Sequence, residues 1–353
     1  MKKIFFILIG VIAMFSVVIA CSQDDSDLPG FENSGSKAIG FKTFLDKDVT
    51  RGVSTAPGNL RQNFWVYAYY DSIGDRSTNL LKPNFMYNQR VVFNDSTFSY
   101  APTKYWPNTG DVNFYGWTPN TSDRLAVTNP TSATSIGYPT FNYTVNNIIA
   151  NQEDLLVAAA EDLDGTSGTV NMPFTHALTK ISIAARTLSD YASAGVTVKI
   201  MSVALSGIVQ SGEFSFQKYT TNYVDSVWWT PTANDTITYK PYIGSNTGAL
   251  IGYYGPDTYM QLPTSDQFPL MIPQHFGGTQ AKLTIVYKVL YADGTATQTF
   301  TKVVPLSGTV TWHPNSFVTY VISISLNVVT FSGVVSDWNM NYRPVNIIPT
   351  DNE

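Results

Sequence analysis

Apolar and polar residues alternate along this chain with the period of β-strands rather than that of helices. In TYVISISL (319–326), Tyr320, Ile322, Ile324 and Leu326 fall on one face and Val321, Ser323 and Ser325 on the other. That two-residue period predicts a strand with one buried face. KLTIVYKV (282–289) sets Leu283, Ile285, Tyr287 and Val289 against Lys282, Thr284, Val286 and Lys288, and FWVYAYY (64–70) and TKISIAA (179–185) behave alike. AIGFKTF (38–44) reads as an early strand. VTVKIMSVAL (196–205) alternates through Val196, Val198 and Ile200, then changes phase to Val203 and Leu205, which predicts a bulge. The clusters PNTGD, DGTSG, PTAND, GSNTG and YADGTA punctuate these runs, and the last predicts a hairpin around Asp293 and Gly294. Only EDLLVAAAED (153–162) has good helix propensity, and it is short for a stable helix.

The N-terminus follows a different pattern. Lys2 and Lys3 precede an uncharged apolar run over 4–20, the arrangement of a secretory signal peptide. An uncleaved anchor is the competing reading, since the run only reaches the lower limit for a spanning helix. Val18, Ile19, Ala20 and Cys21 resemble the lipobox of bacterial lipoproteins. That resemblance implies lipidation of Cys21, which becomes the mature N-terminus and holds the protein on a membrane by several acyl chains. Ser22 at the next position points to the outer membrane. The acidic run Asp24, Asp25, Ser26, Asp27 resembles a surface-export signal, with a solvated tether as the plainer reading. Cys21 is the sole cysteine, so its acylation leaves no thiol for disulfides, metal or catalysis.

Removing 20 residues from 353 leaves 333, a length that suggests two domains. Many short strands with turn punctuation predict an all-β fold, and halves of similar length predict two β-sandwiches. The division falls at the DGTSGTV loop (164–170): a leader over 1–20, an acidic tether over 21–37, an N-terminal sandwich over 38–168 and a C-terminal sandwich with a tail over 169–353. Aromatics at 14% and 24 glycines agree with β-structure. Loss of Lys2 and Lys3 takes the formal charge from −5 to −7, and no basic cluster appears, which argues against a nucleic-acid partner.

Candidate chemistry is sparse. His176, His275 and His313 lie in separate motifs, and His176 in PFTHALTKI reads as a hydrogen-bonded residue at the start of a strand rather than a catalytic base. There is no HExxH or paired cysteine, and DLDGTSG (162–168) lacks the spacing and terminal Glu of a calcium loop. A glycosidase needs only two carboxylates, which a sequence does not exclude. The expectation is a protein that is not an enzyme and holds no cofactor or metal. Trp106, Trp312 and Trp338 read as core residues, each contributing about 2–3 kcal/mol when fully buried. Two non-catalytic readings remain. One is an assembling structural subunit. The other is a monomeric surface lipoprotein that binds carbohydrate through exposed members of the set Trp65, Trp228, Trp229, Tyr253 and Tyr254.

An ordered series of motifs carries a family resemblance: NFWVYAYY, FMYNQRVVF, KYWPNTGDVNFYGWTP, NQEDLLVAA, MPFTHALTKISI, PLMIPQ, KLTIVYKV, VPLSGTVTWHPNSFVTYVISISL and GVVSDW. Over most of its mature length the chain resembles the fimbrillins, subunits of the lipoprotein-derived fimbriae of Gram-negative anaerobes. The resemblance implies two tandem transthyretin-like β-sandwiches and a structural, adhesive role. Its partners would be other fimbrial subunits, the outer membrane through the lipid on Cys21, and a host or bacterial surface ligand. It also implies that an Arg-specific protease cuts the linker after the first strand, leaving a groove that a neighbour's strand fills. In DKDVTRGVSTAPGNLRQ (46–62) the preferred cut lies between Arg51 and Gly52, with Arg61 as second site. Near the C-terminus Val345, Ile347 and Ile348 are bracketed by Pro344 and Pro349, which confines the segment to an edge or an extended tail. It reads either as the donor for β-strand addition or as a tail folded along its own domain.

Overall fold

The computed structural model describes residues 37–45, 60–73, 78–118, 127–128, 131–166, 168–221, 228–244, 247–255, 258–262, 268–277, 280–292, 297–307, 310–326 and 329–338. Cys21, Arg51, Gly52, Val345, Ile347, Ile348 and the Asp293–Gly294 turn lie outside the described residues.

Among the described residues, four sheets make up the fold. The first runs in the order β1 (Gly40–Leu45), β9 (Thr169–His176), β8 (Leu156–Leu163), β5 (Asp111–Thr118), β2 (Phe64–Asp71), β3 (Met86–Asn94) and β4 (Thr97–Ser99). The second holds β16 (Met260–Leu262), β10 (Thr179–Thr187), β20 (Ser316–Ile324) and β21 (Val329–Asp337), with β17 (Leu270–Met271) also on β10. The third is β14 (Thr236–Ile243), β11 (Val196–Val209), β18 (Lys282–Tyr291) and β19 (Thr297–Pro305), with β15 (Ala249–Ile251) also on β11. The fourth is β13 (Trp229–Pro231), β12 (Ser211–Ser215), β7 (Thr140–Thr144) and β6 (Val127–Thr128). A short helix, α1, covers Phe216–Thr221. The chain is all-β, as its periodicity predicts.

The second and third sheets face each other as a sandwich. Ile181, Ile183 and Ala185 of β10 and Val318, Tyr320, Ile322 and Ile324 of β20 meet Val198, Ile200, Val203 and Leu205 of β11 and Leu283, Ile285, Tyr287 and Val289 of β18 in one core. The phase change in β11 is a register shift against β18 between Ile200 and Ser202, the expected bulge. The strands flanking the expected hairpin pair antiparallel from Leu290 with Thr297 onward. Leu326, by contrast, lies beyond the end of β20 and is exposed.

The inner strands β2 and β5 of the first sheet are buried on both faces, so they do not separate into apolar and polar sides. Phe64, Val66, Ala68 and Tyr70 of β2 enter one core with Val112, Phe114, Val170, Met172 and Phe174. Tyr67, Tyr69, Tyr115 and Trp117 point the other way into the large core shared with the sandwich. There Trp117 meets Phe141 of the fourth sheet at 5.5 Å, and Phe141 stacks on Phe214 at 5.0 Å. The loop over 164–170, where the sequence places the division between halves, is the β8–β9 turn inside the first sheet. In PNTGD the turn depends on Gly110, whose φ of +76° suits glycine and whose place a Cβ would take at 2.1 Å from the Asp71 carbonyl oxygen.

The segment 153–162 corrects its helix propensity: it is strand β8, seated between β5 and β9. Leu156 and Ala158 fill one core while Leu155 and Val157 fill the other. Pairing on both edges and burial on both faces outweigh the few tenths of a kcal/mol per residue that helix propensity offers.

A polar cluster lies beside β5 and β8. The Tyr115 hydroxyl donates to Glu161 Oε1 at 2.5 Å and lies 2.9 Å from Thr78 Oγ1, while Asn113 Nδ2 donates to Thr78 Oγ1 at 3.1 Å. Burial raises the Glu161 carboxyl above its ordinary range, opposed by the hydrogen bond from Tyr115. A carboxyl raised in the folded state weakens the fold as pH climbs from the unfolded value near about 4.3 through the folded one. Glu161→Gln removes that titration. The difference in thermal midpoint, variant minus wild type, is expected to grow between about pH 4 and pH 7. Parallel melting curves check it; a pH-independent difference would show that the titration of Glu161 is not coupled to folding.

Candidate functional site

The first strand occupies a seam. Residues Ile39, Phe41 and Thr43 are buried while Lys42 between them is exposed, so the strand alternates as GFKTFL predicts. On one side β1 runs parallel to β9, from Gly40 opposite Thr169 to Leu45 opposite Phe174. On the other, the Ile39 N–H donates to the Lys104 carbonyl at 2.9 Å and the Trp106 N–H to the Lys37 carbonyl at 3.0 Å, with Ala38 bridged to Tyr105. The Tyr100 hydroxyl donates to the Ile39 carbonyl at 2.8 Å. β1 thus joins β9 to the stretch after β4, rolling the first sheet around its core.

Phe41 is the centre of that closure. Its ring meets Phe64 and Tyr100 at 5.5 Å and Phe114 at 5.9 Å, edge to face in each case. Such pairs contribute about 0.5–1.5 kcal/mol each beyond area burial. Trp106 supports the wall, meeting Phe114 at 5.9 Å and donating from Nε1 to the Gly168 carbonyl at 3.1 Å. Burial pushes the Tyr100 hydroxyl up to about 12. Thr43 Oγ1 donates to the Leu60 carbonyl, which ties the end of β1 to the chain just before β2.

Of the two arginines weighed for trimming, Arg61 is described and Arg51 is not. Arg61 is exposed, but its surroundings are fixed. Leu60 is buried and bonded to Thr43, the Asn63 side chain accepts the Phe93 N–H at 2.8 Å, and the Asn63 carbonyl accepts Thr118 Oγ1 at 2.9 Å.

The aromatic set weighed for carbohydrate does not gather in one patch. Trp228 and Trp229 are buried in the large core, with Trp229 Nε1 donating to the Ala177 carbonyl at 2.7 Å. Trp65 is half-buried against the same core. Tyr253 and Tyr254 alone of the five are exposed. Trp106 and Trp312 are core residues as expected, but Trp338 is only half-buried.

His176 ends β9 rather than starting a strand, and its Nδ1 lies 2.6 Å from Asp154 Oδ2. His275 Nδ1 lies 2.9 Å from Thr311 Oγ1. Among the described residues no group of three or more His, Cys, Asp or Glu could hold a metal ion, and no helix is long and apolar enough to cross a membrane. Sequence reasoning identified the strand; it missed the parallel partner β9 and the Tyr100–Trp106 wall, for which the density of aromatics in KYWPNTGDVNFYGW was the available signal.

Comparison with known proteins gives a concordant picture. The profile of the fimbrillin-like family matches residues 50–338. Fimbrium subunit Fim1C of Phocaeicola vulgatus is 25% identical over 181 residues, 47% of each chain, so the match spans about half the length of that relative. The crystal structure of a fimbrial protein from Bacteroides vulgatus ATCC 8482 aligns with 86% of this chain and 100% of its own, with a TM-score of 0.66 at 18% identity, a likeness of fold.

Proposed function

Because the chain belongs to the fimbrillin-like family, we propose that it is a structural subunit of an adhesive surface fimbrium, exported as a lipoprotein and assembled by strand exchange after Arg-specific trimming. The observation that carries this reading is the position of β1. It lies at a seam, makes a strand ladder on one side only, and presents alternate side chains to an aromatic pocket. A strand held this way leaves a groove when it departs, and a groove with a free ladder edge is what an incoming strand requires. Ile39, Phe41 and Thr43 set the spacing that the occupant must reproduce. In the tail, Val345 and Ile347 repeat it, with Asn346 between them and Ile348 and Pro349 next.

The fixed surroundings of Arg61 support Arg51 as the cut. A protease needs several residues of extended backbone in its cleft, and local unfolding around residue 60 would disturb both β1 and β2. Limited digestion of the soluble chain with trypsin, followed by N-terminal sequencing and electron microscopy, tests the reading. The expected product starts at Gly52 and forms polymers. Resistance throughout 46–62, or a cut product that stays monomeric, would count against it.

Anchoring is tested separately. Changing Cys21 to Ala is expected to abolish lipid labelling and release the precursor from the membrane fraction, since lipid on that residue is the proposed attachment. Retention of the variant on membranes would overturn the lipoprotein reading without touching the fold. The carbohydrate reading is left with Tyr253 and Tyr254 alone, because the paired tryptophans pack inward.

A further inference from the structure

Trp338 follows β21 directly and is the last described residue before the tail. Its N–H donates to the Asn315 carbonyl at 3.1 Å. Its indole stacks on the His176 ring, with centroids 4.1 Å apart and planes inclined by 16°. Lys180 Nζ lies 5.6 Å from the same indole, and 4.8 Å and 5.1 Å from the rings of Phe268 and Phe317. The root of the tail is therefore held by the end of β9, through His176, and by β10, through Lys180.

The His176 Nδ1 lies 2.6 Å from Asp154 Oδ2, a close contact with the segment that leads into β8. The same ring stacks on Trp338. The strand that His176 ends is the one on which β1 lies, and the ladder between them runs to Phe174, two residues away.

We propose that the Trp338–His176 stack is a latch that couples the seat of β1 to the root of the C-terminal tail. With β1 on β9, the end of β9 is held in register and His176 keeps the indole. When β1 leaves, β9 loses its ladder over 169–174 and keeps the pairs of Thr175 and His176 with β8, so the stack loosens and the root of the tail at Trp338 is freed at the moment a groove becomes vacant. The inference rests on the strand-exchange reading for its purpose, but the coupling itself is a property of the uncut monomer.

Hydrogen exchange on the intact, uncut soluble chain tests it in both directions, because a coupling between two sites is reciprocal. Trp338→Ala is expected to speed amide exchange about tenfold over 40–45 and 169–176, and Trp338→Phe, which keeps a ring, to restore most of the protection. Phe41→Ala is expected to speed exchange over 329–338. Amides of β18 serve as the control for global loss of stability. If Trp338→Ala does not fold, His176→Ala carries the same expectation. Effects confined to 315–338 for the Trp338 and His176 variants, with no response of 329–338 to Phe41→Ala, would overturn the latch. A chain that shows the coupling yet never polymerises after trimming would instead refute strand exchange and leave the latch standing.

Discussion

Removing residues 345–353 is expected to abolish polymer formation while leaving a folded, soluble monomer. The deleted stretch contains Val345, Ile347 and Ile348, the apolar residues proposed to enter a neighbour's groove. Each aliphatic side chain buried there would contribute about 1.5–3 kcal/mol, and the ladder along β9 adds backbone hydrogen bonds. Losing all of them removes the main source of affinity between subunits, so the effect on assembly is close to all-or-none. The monomer keeps both cores, none of whose members among the described residues lies beyond Val335. Size-exclusion chromatography after trimming, with melting of the uncut variant, checks both halves of the expectation. Polymers that still form, or a truncated chain that unfolds, would remove the tail from the role of donor.

Phe41→Ala is expected to destabilise the uncut chain by about 3–5 kcal/mol, the usual cost of deleting a buried phenylalanine. The ring contacts Phe64, Tyr100 and Phe114, and little of that rigid aromatic pocket can collapse to refill the space. The same substitution should have no effect on polymers formed after trimming, because the strand that carries it has left. Denaturant unfolding of the uncut chain and thermal dissociation of the polymer measure the two. Equal losses in both would mean that β1 stays in its seat after assembly.

Much of the C-terminal sandwich was legible in the sequence because its strands bury one face. Leu283, Ile285, Tyr287 and Val289 alternate with half-exposed or exposed residues, and the phase slip in β11 marks its bulge. The first sheet was harder. With both faces covered, FWVYAYY reads as a run of apolar residues, and LLVAAAED carries a helical propensity that only its neighbours overrule. The same limit hid the burial of Trp228 and Trp229, whose setting beside Pro231 looks like a loop until Phe214 and Tyr219 are in place around them. The short helix over Phe216–Thr221 follows directly from a strand and carries no periodic signal of its own.

At the candidate site, the strand could be read locally, because it lies within one stretch of chain. The seam could not. β1 pairs in parallel with β9, Gly40 facing Thr169, and Ile39 bonds to Lys104. Parallel pairing between distant segments leaves no mark in the local pattern. For the same reason Trp338 read as a core residue, whereas it stacks on a histidine more than a hundred positions earlier.

Strand exchange itself can be observed with a chemical ruler. Cys21 is the sole cysteine, so a soluble chain beginning after it carries no thiol. One cysteine placed at Ile347 and a second placed in turn at Val170, Asn171 or Met172 of β9 would pair only if the tail of one subunit lies along the groove of another. The expected result is a ladder of disulfide-linked multimers that appears after trimming at Arg51 and is absent from the uncut chain. Polymers that form without a cross-link at any of the three positions would contradict the account.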